Sequence, residues 1–83
     1  MKILYFAWVR EYVGKSEETL ALPKTLITVS DLIEFLSEKD GGYREAFKDP
    51  SRLRAAINQT FVPLDHNLKG GEEVAFFPPV TGG

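Results

Sequence analysis

The chain has 83 residues, a formal charge of −2 and no cysteine. That length makes one domain with a modest core, because a chain this small buries roughly 60% of its unfolded surface. The balance excludes a basic nucleic-acid patch, and the missing cysteine excludes a disulfide framework, a thiolate metal site and a cysteine nucleophile.

Met1-Lys2 runs straight into an apolar stretch with no small-residue cleavage site. No segment approaches the ~20 apolar residues of a membrane span. The expectation is a cytoplasmic chain with neither a membrane nor a nucleic-acid partner.

Lys2 to Val9 is rich in aromatic and β-branched residues and reads as a first strand. Ile3, Tyr5 and Ala7 point one way and Leu4, Phe6 and Trp8 the other. A strand apolar on both sides is usually covered on both. Arg10 to Gly14 is a short turn-like or helical piece, in which Arg10 and Glu11 are candidates for an exposed ion pair or a partner contact. Glu18 to Leu22 alternates and reads as a second strand, stopped by Pro23 and antiparallel to the first.

Thr28 can cap a helix, and Asp31 three residues on completes a capping box. Val29, Leu32, Ile33 and Leu36 then make one apolar stripe. The spacing predicts a helix to about Glu38 or Lys39, with Gly41-Gly42 ending it. Tyr43 to Lys48 is a short second helix closed by Asp49-Pro50. Leu53 to Val62 reads as a third strand with Ala55, Ile57, Gln59 and Phe61 on one side. Asn58 lies mid-strand, where a local backbone hydrogen bond or bulge and a ligand contact are both open readings. Pro63-Leu64 is a brief edge segment, and Asp65-His66-Asn67 and Lys69-Gly70-Gly71-Glu72 are turns. Glu73 to Phe77 is the last strand, with Val74 and Phe76 opposite Ala75 and Phe77.

The order strand, strand, helix, strand, short strand, strand predicts an α+β chain of the β-grasp (ubiquitin-like) type. A mixed sheet of four to five strands carries one main helix on one face. Residues 1–77 form the domain and 78–83 an extended, flexible C-terminal tail. The helix covers one sheet face only, which leaves Leu4, Phe6, Phe61 and Phe77 as an apolar patch on the other. A monomer seldom leaves a large contiguous patch in water, so these four are the candidate partner interface.

No side chain makes a convincing catalytic or metal centre. His66, the only histidine, sits in a turn with no nucleophile to serve. Glu17, Glu18, Glu72 and Glu73 read as solvated strand ends. Neither internal glycine pair has the spacing of a phosphate loop. What remains is the end, Pro78-Pro79-Val80-Thr81-Gly82-Gly83. The dipeptide Gly-Gly alone is equally consistent with a frayed end or a cloning scar. The prolines ahead of it, however, stiffen the exit from the last strand. Bare glycines can then enter a channel too tight for side chains. Pro79, Val80, Thr81 and Gly82 are the candidate inserted segment, and the α-carboxylate of Gly83 is the candidate reactive group. It is ionised at neutral pH and a poor electrophile, so it must first be activated, for instance as an acyl-adenylate made from ATP. A sulfur donor displacing AMP would leave a thiocarboxylate.

Three stretches then resemble the family of small, sulfur-carrying subunits of molybdopterin synthase. They are Phe6-Ala7-Trp8-Val9-Arg10-Glu11, Ala56-Ile57-Asn58-Gln59-Thr60, and Lys69 to Gly83. The resemblance implies that Gly83 is adenylated by an ubiquitin-activating-like enzyme and converted to a thiocarboxylate with sulfur from a donor. The tail would then insert into the large synthase subunit of a heterotetramer and donate sulfur to precursor Z. It implies no permanently bound cofactor, ATP being consumed by the activating enzyme, and catalytic lysines on the large subunit. A carrier for another pathway, such as thiazole synthesis, and a passive β-grasp interaction module are the rival readings.

Overall fold

The computed structural model describes residues 1–79. Nine elements follow one another: β1 (Lys2–Tyr5), α1 (Ala7–Val13), β2 (Glu17–Thr19), α2 (Val29–Ser37), α3 (Gly41–Phe47), a 3₁₀ turn (Pro50–Arg52), β3 (Arg54–Ile57), β4 (Thr60–Val62) and β5 (Glu73–Phe77). The strands form one five-stranded sheet in the order β2-β1-β5-β3-β4. β1 and β5 run parallel and the remaining neighbours antiparallel. The mixed β-grasp sheet is therefore present, with the last of the described strands at its centre.

Register sorts the side chains between two faces. Ile3, Val74 and Ile57 are paired across three strands, as are Tyr5, Phe76 and Ala55. All six are buried against the helices. From α2 come Val29, Leu32, Ile33 and Leu36, each nearly or fully buried. A fully buried leucine contributes roughly 1.5–3 kcal/mol relative to an exposed one. The start of α2 is fixed locally. Thr28 Oγ1 accepts from the Asp31 N–H at 3.2 Å, and Asp31 Oδ2 accepts from the Thr28 N–H at 3.0 Å.

Six local expectations are corrected. The first strand stops at Tyr5 instead of Val9. Ala7 adopts a left-handed φ of 54°, which turns the chain out of the sheet. Val9 and Val13, four residues apart, then bury one face of a helix. Trp8 thus belongs to α1, where it is half-buried with the Arg52 guanidinium 5.1 Å from its ring centre. The second strand is shorter than expected and ends at Thr19.

Gly41-Gly42 does not end α2; it begins α3. The reason is Asp40, whose Oδ1 accepts from the Gly42 and Tyr43 N–H groups and caps the new helix. Leu53 to Val62 is not one strand but the β3–β4 hairpin. Asn58 and Gln59 both have positive φ, 48° and 71°, as a tight primed turn demands. The reversal sets Phe61 opposite Ala56, on the other face from Ala55 and Ile57. Pro63-Leu64 forms no strand; Leu64 accepts from the Ser30 N–H and Oγ at the start of α2.

Two of the acids read as solvated are tied down. Glu72 is 8% exposed, and its carboxylate accepts from the Lys69 and Gly70 N–H groups at 2.6 Å each. The left-handed turn at Gly70-Gly71 aims those donors inward. Glu18 Oε2 accepts from Tyr5 Oη at 2.7 Å and Tyr43 Oη at 2.5 Å, while Lys15 Nζ reaches Oε1 at 3.1 Å. One carboxylate so joins β1, β2 and α3.

Burial alone would raise the Glu18 carboxyl, but the hydrogen bonds from Tyr43, Tyr5 and Lys15 outweigh it and hold the group below its ordinary value. Burial, then Glu18 itself, pushes the Tyr5 phenol well upward, so Tyr5 remains a donor throughout the accessible range. A depressed carboxyl stabilises the fold above its unfolded-state pKa, and that contribution is lost as pH falls through the folded-state value. Glu18→Gln should therefore be less stable than the parent at neutral pH. The gap should close as the pH falls below the ordinary 4.5. Urea unfolding of both proteins from pH 7 to pH ~3 measures it; a gap independent of pH would rule the assignment out.

Candidate functional site

The sheet face turned away from the helices carries the apolar surface. Register builds it in rows. Leu4 pairs with Ala75, Ala75 with Ala56, and Ala56 with Phe61, so these four cross β1, β5, β3 and β4 in one line. Phe77 stands two residues beyond Ala75 on β5, on the same face. Its ring lies 5.2 Å from that of Phe61 at a tilt of 38°.

Phe6 completes the patch from the other side. Its N–H extends the β1–β5 ladder by donating to the Phe76 carbonyl at 3.1 Å, and its backbone is extended. Because Ala7 then turns left-handed, Phe6 is the last residue held in sheet geometry. A non-glycine residue in that region costs of order 1 kcal/mol, strain that tends to gather where a side chain must be aimed.

Leu4, Phe6, Phe61 and Phe77 therefore come together around one open groove of about 460 Å³. Phe61 is 74% exposed and Phe6 47%. Such exposure is a real cost in water, since an aromatic side chain buries 150–250 Å² when covered. Two residues that sequence reasoning did not single out, Ala56 and Ala75, also line the groove, with Gln59 and Glu73 at its edge. Alternation hinted at Ala75; Ala56 needed the register.

β5 occupies the sheet centre and ends at Phe77, so the chain leaves from the patch itself. Pro78 and Pro79 follow, both half-buried. Val80, Thr81, Gly82 and Gly83, the remaining candidate residues, lie outside the described residues.

The other candidates form no site. His66 is exposed, and its main chain serves the fold, the carbonyl accepting from the Val29 N–H. Asn58 Oδ1 accepts from the Glu73 N–H at 3.0 Å, so its side chain locks the hairpin to β5 across 15 residues of sequence. Arg10 and Glu11 are both exposed on α1, where adjacent residues splay apart. Among the described residues the ion pairs are Lys2–Glu17, Lys15–Glu18 and Glu45–Lys48, not Arg10–Glu11. No group of three or more His, Cys, Asp or Glu among the described residues could hold a metal ion. No described helix is long and apolar enough to cross a membrane.

Comparison with known proteins bears on this geometry. The profile of the ThiS family matches residues 3–83. The molybdopterin synthase sulfur carrier subunit of Escherichia coli is 45% identical over 83 residues, covering 100% of this chain and 99% of the relative. Its counterpart from Haemophilus influenzae is 39% identical over the same span and coverage. In fold, the chain is similar to SAMP1 from Haloferax volcanii, with a TM-score of 0.71 at 24% identity, covering 100% of this chain and 98% of that one. It is also similar to a Pyrococcus furiosus protein assigned as molybdopterin converting factor subunit 1, with a TM-score of 0.68 at 30% identity and 95% of each chain covered.

Proposed function

The chain belongs to the ThiS family, and from that premise we propose that it is the sulfur carrier subunit of a molybdopterin synthase. The observation that carries this reading is the full-length match to carriers of that name, which span bacteria and fungi. The family match runs through Gly83, which supports that residue as the acyl-bearing one.

The chemistry follows from the carboxylate. Ionised at neutral pH, it resists nucleophiles. An activating enzyme overcomes this with ATP: a carboxylate oxygen attacks the α-phosphorus, pyrophosphate leaves, and a mixed anhydride with AMP results. A sulfur nucleophile at the sulfide level then attacks the acyl carbon. The C–S bond forms, the C–O bond to AMP breaks, and a thiocarboxylate remains. Its sulfur attacks an electrophilic carbon of precursor Z in the large subunit, so that a C–S bond forms as a C–O bond at that carbon breaks and the oxygen leaves protonated. Water then cleaves the acyl C–S bond, leaving the thiol on the product and regenerating the carboxylate on the carrier. The carrier itself retains no cofactor. Its body supplies the grip, and the enzymes it visits supply orientation and electrostatics.

The apolar patch is the surface by which the large subunit and then the activating enzyme hold the chain. It adjoins the start of the tail, so docking there fixes the tail's point of entry. Fully extended, the six residues beyond Phe77 would span at most roughly 20 Å. The ATP requirement supports a cytoplasmic site of action, and a tetramer of two small and two large chains suits a product that needs two sulfurs.

The test is intact mass. Purified from cells that contain the activating enzyme and sulfur donor, a fraction of the chain should carry one sulfur in place of one oxygen. The substitution should map to the peptide ending in Gly83. Complete absence of that species from such cells would favour a passive interaction module.

A further inference from the structure

The groove is not uniformly lined. Its walls are large: Leu4 and Phe6 stand on the β1 side, Phe61 on the β4 side, and Phe77, packed against Phe61, at the end where β5 leaves the sheet. Its floor is two alanines, adjacent across β5 and β3. Ala56 is only 5% exposed, which leaves Ala75, half-buried at the sheet centre, as the open part of the floor. Strand surfaces ordinarily favour β-branched and aromatic residues over alanine. Small residues at this point keep a depression open where a valine would level it.

Resting on the reading that this face holds the large synthase subunit, we propose that Ala56 and Ala75 form a socket for one protruding apolar side chain of that subunit. Three features fix the occupant's chemistry. The walls and floor are apolar, so the inserted tip is uncharged. The polar residues Glu73 and Gln59 stand at one end only, so the rest of the inserted side chain meets hydrocarbon. Finally, Ala75 lies two residues before Phe77 on the strand that leads into the tail. The protein that fills the socket is therefore one that receives the tail, and of those the large subunit is the partner that the synthase-subunit relatives imply. A central buried anchor of this kind dominates most interfaces, while the surrounding contacts mainly exclude water.

The proposal predicts opposite behaviour for folding and docking. Ala75→Val should leave the melting temperature of the free chain unchanged or raised, because valine suits a strand. It should weaken binding to the large subunit by about ten- to a hundredfold, because the socket is filled. Phe61→Ala, which removes a wall, should also weaken binding. Both are measured by calorimetric titration of the full chain into the large subunit. Ala75→Thr, similar in shape to valine, repeats the test if the valine variant folds poorly. Weakening by Phe61→Ala with wild-type affinity for both Ala75 variants would overturn the socket and leave the docking face intact. Wild-type affinity for all three would overturn the docking face as well. Sedimentation of the free chain covers the remaining occupant. Self-association that Ala75→Val abolishes, with large-subunit affinity unchanged, would assign the socket to a second copy and overturn the proposal.

Discussion

Deletion of Gly83 is expected to reduce sulfur transfer by more than about a hundredfold and to leave thermal unfolding unchanged. Folding and sulfur transfer depend on different parts of the chain. Among the described residues, every buried apolar side chain lies between Ile3 and Phe76, so the core is complete before the tail begins. A terminal glycine has no side chain to bury, so its loss is expected to leave that core unchanged. In the proposed mechanism the chemistry, by contrast, sits at one atom. Shortening the chain moves the acyl carbon back by roughly 3.3–3.6 Å. A misplacement of about 1 Å at a reacting centre already costs around 10²-fold. The new terminal Gly82 carboxylate therefore has correct chemistry in the wrong place. Measuring product formation with the large subunit, alongside a melt of each protein, separates position from stability. Wild-type transfer by the shortened chain would show that the reactive group is not at Gly83.

What the sequence disclosed and what it hid divide along a physical line. Helix α2 was legible because its cap, its box and its stripe are all local. Thr28, Asp31 and the four apolar residues need no knowledge of the rest of the fold. The boundary between β1 and α1 was not. Phe6-Ala7-Trp8-Val9 is apolar throughout, and periodicity cannot separate a strand from a helix over four such residues. The decision is made by packing Val9 and Val13 against the core. The β3–β4 turn was hidden because Asn58-Gln59 lacks the glycine that usually announces it. What holds the turn is distant in sequence: Asn58 donates its N–H to the Glu73 carbonyl and accepts from the Glu73 N–H. Leu4, Phe6 and Phe77 could be placed on one face by alternation and by counting helices. Phe61 reached that face only through the reversal, and the alanine floor emerged only with the register. The tail was the clearest signal of all in the sequence, because its composition departs so sharply from that of the strand before it.

The glycine pair before α3 yields the second large effect, and magnitudes decide its sign. Neither Gly41 nor Gly42 has a positive φ, so alanine is conformationally allowed at both. On propensity alone each change would stabilise by up to about 1 kcal/mol. At Gly41 an added methyl would meet nothing within 4 Å beyond its chain neighbours and its own helix backbone, and that gain should be realised. At Gly42 a Cβ would sit 2.2 Å from the carbonyl oxygen of Tyr12 and 3.3 Å from its carbon. The obstacle is backbone, so no rotamer relieves it. α1 and α3 must instead move apart, although Val9, Val13, Tyr43 and Phe47 pack in one core beneath them. Overpacking of that kind costs typically 1–3 kcal/mol and occasionally more, and this overlap lies at the severe end. Net of the propensity gain, Gly42→Ala should lose roughly 2 kcal/mol, or about 8–16 °C in melting temperature for a domain of this size. Gly41→Ala should gain a few degrees. The neighbouring substitutions share composition, helix and solvent, and differ only in what stands opposite the added methyl. Shifts of the same sign in paired thermal melts would mean that the α1–α3 contact is not as close as the Gly42–Tyr12 approach requires.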